Sequence, residues 1–123
     1  MSVRKAVEAQ LQADWGDIPE LVALRVIATE RELDDITQPT ALIRAKSYDR
    51  TAAAPQSHRN VGLLLTLISP YLDLDRAGDQ LDAITPAALD YLDTRYSHEA
   101  ATAVGYGSRL AFDIPFTVIA SKE

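Results

Sequence analysis

The sequence contains no cysteine. This absence excludes a disulfide framework and a thiolate metal site, and it suits synthesis in a reducing cytoplasm. Clusters of basic residues are lacking too, because the 12 Lys and Arg residues are scattered through a chain of net charge -6. No basic run or basic helix face is available to neutralise a row of phosphates. Sequence-specific binding of nucleic acid is therefore not expected.

Long apolar runs are also missing. The longest, residues 63–68, is interrupted by Thr66 and is far shorter than the roughly 20 residues that span a bilayer. The first 16 residues interleave apolar side chains with charges, unlike a signal peptide. No membrane or export route is predicted. What the chain does have is 123 residues of 47% hydrophobic content, which is enough for one domain, 1–123, with one core.

Apolar spacing predicts the first elements. Val3, Val7 and Leu11 recur every four residues, which is typical of a helix that runs to about Asp14, with Ser2 as a possible N-cap. The segment 20–29 is rich in aliphatic residues and is interpreted as a strand, with a helix as the alternative. The charged segment 30–38 is interpreted as a connection to Pro39.

Two further strands are predicted on either side of a long loop. In residues 40–48, alternation places Leu42, Arg44, Lys46 and Tyr48 on one partly exposed face. Residues 61–69 are apolar on both faces, as in a central strand covered on both sides. The loop Asp49 to Asn60 is longer than the two to five residues typical of hairpins. It is either a surface loop or a protruding arm that a neighbouring molecule orders.

The second half predicts helices and then strands. Helical spacing begins at Asp73, where Asp73 and Asp75 suit a helix N-terminus, and it slips by one position at Thr85-Pro86. We therefore expect two consecutive helices or one sharply kinked helix. Residues 99–121 predict two strands about a turn at Gly105 to Gly107, and Pro115 places the final strand at a sheet edge or on a bulge.

These elements predict an α+β fold of two layers. Its sheet is mixed, mostly antiparallel and four- to five-stranded, and it packs against an N-terminal helix and a pair of consecutive helices. No internal repeat or linker divides the chain.

The search for chemical motifs favours no enzyme. A calcium loop at Asp73 lacks two ligand positions, and His58 and His98 lack partners at metal-ligand spacing. Gly105-Tyr106-Gly107 lacks the third glycine and the context of a dinucleotide fingerprint. A small hydrolase built on an acidic residue and a histidine is disfavoured, as is a base-stacking platform of Tyr48 with Arg44 and Lys46. Neither a catalytic group, nor a cofactor, nor a metal is predicted.

The order and spacing of several blocks resemble one viral family. The blocks are LDDI, PTALIRAKSYDR, APQSHRNVGLLLTLISPYLDLDRAGDQLD and the closing strand AFDIPFTVIAS. From about Trp15 onward the chain resembles the lambda-type tail terminator proteins of long-tailed (siphovirus) bacteriophages.

The resemblance implies a cofactor-free structural protein of the virion, made in the host cytoplasm. It implies a homohexameric ring on the head-proximal end of the tail tube, which stops tube polymerisation and joins the tail to the head. The implied partners are further copies of the chain, the tail tube protein and a head-completion or neck protein. Genomic DNA would pass through the lumen without sequence-specific binding.

A ring requires one patch of a subunit to meet a different patch of the next. The candidate residues for this subunit or tube interface are Arg44, Lys46, Tyr48, Arg50, His58 and Arg59. Two alternatives remain open at this point. One is another neck protein, such as a head-closure or connector subunit, and the other is a non-viral acidic module that binds a basic protein surface.

Overall fold

The computed structural model describes residues 3–33, 35–49 and 58–121, and the side chains of 47–49, 58, 59, 120 and 121 are outside this description. The described residues form an α+β fold with two helices and one six-stranded mixed sheet. The elements in chain order are α1 (Val3–Trp15), β1 (Arg25–Ala28), β2 (Thr40–Asp49), β3 (His58–Ile68), α2 (Leu74–Arg95), β4 (Ser97–His98), β5 (Thr102–Tyr106) and β6 (Arg109–Ser121).

The sheet has the order β1-β2-β3-β6, and both β4 and β5 pair with the far side of β6. Only β1 and β2 run parallel, and every other pair is antiparallel. The predicted mixed, mostly antiparallel sheet is therefore confirmed, as is the central position of the apolar strand β3. The prediction of four to five strands is wrong by one, because the two-residue strand β4 was not anticipated.

The main core lies between the helices and one face of the sheet. In the middle of this face Ile43, Leu65 and Ile114 stand side by side on β2, β3 and β6, and all three are fully buried. Helix α1 contributes Leu11 and Trp15 to the same core, together with other apolar residues of the two helices. Because side chains alternate along a strand, the residues between these three point to the opposite face.

A second, smaller core covers part of that opposite face. Leu42, Ile68 and Ala111 are fully buried there beneath Ile36. The phenol of Tyr106 also reaches over this core and accepts a hydrogen bond from the Leu33 backbone N–H at 2.6 Å. The charged stretch after β1 is a connection without regular structure, as predicted, but it also supplies the cover of this second core.

Helix α1 lies along the outer edge of β1 and satisfies its backbone groups. The side chains of Lys5 and Gln12 donate to the carbonyl oxygens of Ala28 and Val26 at 3.0 and 3.1 Å. Glu8 accepts from the Ala28 N–H at 2.6 Å. An edge strand whose polar groups are already bonded offers little to an incoming strand. This edge of the sheet is therefore closed.

The predicted pair of helices after Asp73 is wrong in one respect. Asp73 does cap the helix, since its carboxylate accepts from the backbone N–H groups of Asp75 and Arg76 at 3.0 and 3.3 Å. However, α2 is a single helix that continues through Pro86. Proline removes one backbone hydrogen bond from a helix interior, but buried residues on both sides, Leu81 and Leu92, hold the two halves in one core.

The predicted edge position of the last strand is also wrong. β6 is internal, with β3 on one side and β4 and β5 on the other, and its register with β3 is continuous. The Pro115 carbonyl accepts from Glu99 N–H, so residue 115 points its backbone groups away from β3. The position lies in the gap between β5 and β4, where the missing N–H of proline interrupts no ladder bond.

Other sequence predictions have mixed outcomes. The first helix is confirmed, although its proposed cap Ser2 lies outside the described residues. In 20–29 only the second half is a strand, because the first half forms turns that connect it to α1. The two C-terminal strands and their turn are confirmed, with Gly107 at a φ of 62° that favours glycine. Neither described helix is long and apolar enough to cross a bilayer.

Candidate interface

The structure places three of the six predicted interface residues at one end of the β2–β3 hairpin. Tyr48 lies near the end of β2, and His58 and Arg59 begin β3. Their side chains are outside the description, and Arg50 and the rest of the loop up to residue 57 lie outside the described residues altogether. Arg44 and Lys46 sit further along β2 and have described side chains.

The single exposed face predicted for β2 is wrong. Leu42 is fully buried in the second core, so it is not available to a partner. The register with β3 also shifts between Ala45 and Ser47, which places a bulge at Lys46. A bulge interrupts the two-residue alternation of a strand. The face that begins at Leu42 and Arg44 therefore does not continue past Lys46.

Arg44 belongs to a row of polar side chains that crosses three strands. Its guanidinium donates to the Thr66 hydroxyl at 3.0 Å, and that hydroxyl donates to the Asp113 carboxylate at 2.6 Å. Thr66 itself is buried, and its hydroxyl joins the cation to the anion in a partly buried site. The row lines a cleft of about 390 Å³, whose other walls include Glu30 and Tyr106. Arg44 is thus held from within its own subunit.

Lys46 makes a looser contact. Its ammonium lies 3.5 Å from the carboxylate of Glu99, and both side chains are more than half exposed. Exposed ion pairs of this kind contribute little to stability because water and salt screen them. Lys46 is therefore the one predicted interface residue with a described side chain that keeps a largely accessible charge.

The hairpin end of the sheet has a simpler construction than the rest. β1 pairs with β2 only as far as Ile43, and β4 pairs with β6 only as far as Thr117. Beyond these points the sheet consists of β2, β3 and β6 alone, with Tyr48, Val61 and Val118 side by side in one row. Among the described residues, no strand covers either edge of this three-stranded end.

A groove with both polar and apolar lining residues lies beside the β6 edge of that end. Its volume is about 600 Å³, and it is lined by Tyr96, Val118 and Ile119 together with Arg95 and neighbouring polar residues. The side chain of Ile119 is 59% exposed. Exposed apolar surface that is flanked by polar groups is typical of protein interaction sites.

Sequence reasoning missed these groove residues. The C-terminal run of Val118, Ile119 and Ala120 is apolar at consecutive positions, which places apolar side chains on both faces of a strand. That signal predicts either a fully covered strand or a contact surface. The contribution of Tyr96 had no local signal, because it depends on where α2 ends relative to β6.

His98, the histidine whose side chain is described, serves a structural role. His98 Nδ1 lies 2.8 Å from the carbonyl oxygen of Glu99, and Nε2 lies 2.5 Å from Asp93 Oδ1. A carbonyl oxygen only accepts, so Nδ1 carries a proton, and the carboxylate favours a second proton on Nε2. The Glu99 carbonyl first and Asp93 second raise the pKa of His98 above its usual value. Within the described ranges, no three potential ligands cluster as a metal site requires.

Replacing Asp93 with Asn is expected to lower the pKa of His98. Since the pKa of His98 is raised on folding, its contribution to stability is complete below about pH 6.5 and is lost as the pH rises through the folded-state pKa. The D93N protein should therefore lose more stability at pH 6 than at pH 8. NMR titration of the imidazole protons measures the shift, with H58N to assign the two histidines. The exposed Asp90→Asn is the matched control, and an unchanged His98 titration in D93N would contradict the assignment.

Among the described residues, the hairpin end thus combines strand edges that no other strand pairs with and an exposed isoleucine, Ile119, which suits strand-mediated contact with a protein. No protein-family model matches this chain, and no curated protein matches it at a significant level.

Proposed function

We propose that the protein is a tail terminator of a long-tailed bacteriophage, a structural subunit that acts without catalysis. In this proposal it assembles as a ring on the head-proximal end of the tail tube, ends tube polymerisation and forms the joint to the head. The observation that carries the proposal is the construction of the hairpin end. A small α+β domain carries a three-stranded sheet end whose edges no described strand covers, in the same part of the chain as the sequence blocks that resemble this family.

Two properties of the chain support this role. The hairpin strands β2 and β3 have 10 and 11 residues, and they extend past the part of the sheet that β1 and β4 border. The net charge is -6, so a ring of six copies would carry about -36 and would repel the phosphates of a genome passing through its lumen.

The test is to disable the gene in the phage that carries it and to image the products of infection. Loss of termination predicts headless tails of uncontrolled or excessive length, because no subunit stops the addition of tube protein. Restoring the gene in trans should restore tail length and head joining. Tails of normal length without the protein would overturn the proposal.

A binding assay separates this role from that of a head-closure or connector subunit. The purified protein is incubated with purified tail tubes and, separately, with DNA-filled heads, and bound protein is located by labelling. A terminator is expected at one tip of the tube. Binding to heads and not to tubes would assign the protein to the neck.

A further inference from the structure

On the β6 side of the hairpin end, the orientation of the backbone groups follows from the hydrogen bonds nearer the start of β6. The Ser69 N–H donates to the carbonyl oxygen of Leu110, which points even-numbered residues of β6 toward β3. Odd-numbered residues point the other way, as Pro115 confirms by accepting from Glu99. The register has no break up to Ser121. Ile119 therefore directs its N–H and C=O away from β3, and no described residue bonds them.

On the opposite side of the same end, β2 is also without a neighbouring strand in the described part of the chain. Past Ile43, no described strand pairs with β2 on its β1 side. The first outward group, the Ala45 N–H, is bonded by the carboxylate of Glu30 at 2.9 Å. From Lys46 to Asp49 no described strand pairs with that side. Tyr48 and Val118 belong to one row across the sheet, so the open edges of β2 and β6 lie at the same level on opposite sides.

We propose that these two edges pair between copies of this chain, with residues 118–121 of one subunit beside residues 46–49 of the next. A molecule with two different open edges on opposite sides associates head to tail, which is the contact that a ring requires. At the other end of the sheet this pairing is impossible, because the α1 side chains of Lys5, Glu8 and Gln12 occupy the β1 edge.

One charged side chain beside the β6 edge and one beside the β2 edge have opposite signs, while Lys46 on the β2 side is paired with Glu99 of its own subunit. Arg95 lines the groove next to β6, and its side chain is 47% exposed. Glu30 lies next to the open stretch of β2, and its side chain is 52% exposed. Each already has a partner within its own subunit, Asp14 and Arg4 respectively, but half of each surface remains available. Opposite charges on the two sides favour the head-to-tail arrangement over pairing of like edges.

The topology also determines the direction of the pairing. β2 and β6 are both antiparallel to β3 and therefore run in the same direction. Rotation about a ring axis preserves direction along that axis, so β6 of one subunit and β2 of the next pair in parallel. The exposed side chain of Ile119 and the groove beside it would be covered by the neighbouring copy.

The experiment uses proline to remove a single outward donor. The N–H that Ile119→Pro removes points away from β3, so the hydrogen bonds between β3 and β6 are kept. The natural proline at position 115 also directs its backbone groups away from β3. Self-association measured by sedimentation velocity is expected to weaken by at least about tenfold, since one interface hydrogen bond and its packing are lost. Ile119→Ala removes the side chain but keeps the donor, and it should lie between the wild type and I119P. Val118→Pro removes an N–H that points toward β3 and thereby breaks a hydrogen bond within the sheet. The melting temperature of V118P should therefore fall, whereas that of I119P should not.

This inference rests on the ring of the proposed function, but the two fail in different ways. If I119P assembles as strongly as the wild type, or if the wild type stays monomeric at every concentration, the paired edges are overturned. The proposed function is decided separately by tail length in the gene-disabled phage. Hydrogen exchange gives a second readout, because assembly should slow exchange in peptides that cover 46–49 and 118–121. Unchanged exchange at both edges in an assembled wild-type protein would also overturn the pairing.

Discussion

Truncating Leu65 to Ala is expected to destabilise the protein by about 2–5 kcal/mol, the range for removing a buried leucine side chain. Leu65 is fully buried in the middle of β3, between Ile43 and Ile114 on the neighbouring strands. Both neighbours belong to strands paired along their length, so they cannot move far to fill the space. Since domains of this size are stable by only about 5–15 kcal/mol, the loss would be a large fraction of the total.

Urea unfolding followed by circular dichroism measures this effect. The matched control is Leu74→Ala in the first turn of α2, where the side chain is 62% exposed. That substitution removes the same atoms from a side chain that is mostly exposed already. It is therefore expected to change stability by no more than about 0.5 kcal/mol. Equal effects of L65A and L74A would contradict the assignment of β3 to the centre of the sheet.

The elements that the sequence predicts correctly are those whose pattern is local. α1 is an example, because Val7 and Leu11 lie one turn apart on a stripe that any core would bury. β3 is another, because a short apolar run of leucines with one threonine is typical of a strand covered on both faces. Asp73 could be assigned as a cap for the same reason, since the helix N-terminus that it bonds begins at the next residue.

The features that the sequence does not predict depend on residues distant in the chain. Leu33 and Ile36 are the two apolar residues of a charged segment, and they join a core only because that segment folds over the sheet. β4 has two residues, too few for any periodicity, and it exists because the end of α2 brings them beside β6. The closed edge of β1 likewise requires three side chains of α1 to lie opposite the backbone groups of β1 that they bond. No local sequence pattern predicts this alignment.

The candidate interface illustrates both cases. The length of the loop Asp49 to Asn60 and the alternation along β2 predict the six candidate residues, and the structure places the backbone of Tyr48, His58 and Arg59 at the hairpin end. Arg44 was grouped with them because alternation along β2 treats the strand as regular. The bulge at Lys46 and the buried hydroxyl of Thr66 separate Arg44 from that end, and both depend on how β2 pairs with β3.

The role of Arg44 leads to a prediction about Thr66. Thr66→Val keeps the shape of the side chain but removes the hydroxyl that accepts from Arg44 and donates to Asp113. Two charged groups then lose a hydrogen bond in a partly buried site, and the expected cost is about 2–3 kcal/mol. Thr102→Val is the matched control, because Thr102 lies opposite Asp113 on β5 but is exposed, and it should cost less than about 0.5 kcal/mol.

A double-mutant cycle identifies the cause of the loss. If the cost of T66V comes from the contact with the carboxylate, T66V should be less destabilising in an Asp113→Asn background than in the wild type. Equal costs in the two backgrounds would mean that Thr66 and Asp113 act independently and that the polar row is not a unit. Because the row holds Arg44 within its own subunit, T66V should leave self-association unchanged at temperatures where it stays folded. If T66V stays folded but associates more weakly than the wild type, Arg44 would have to be counted among the interface residues.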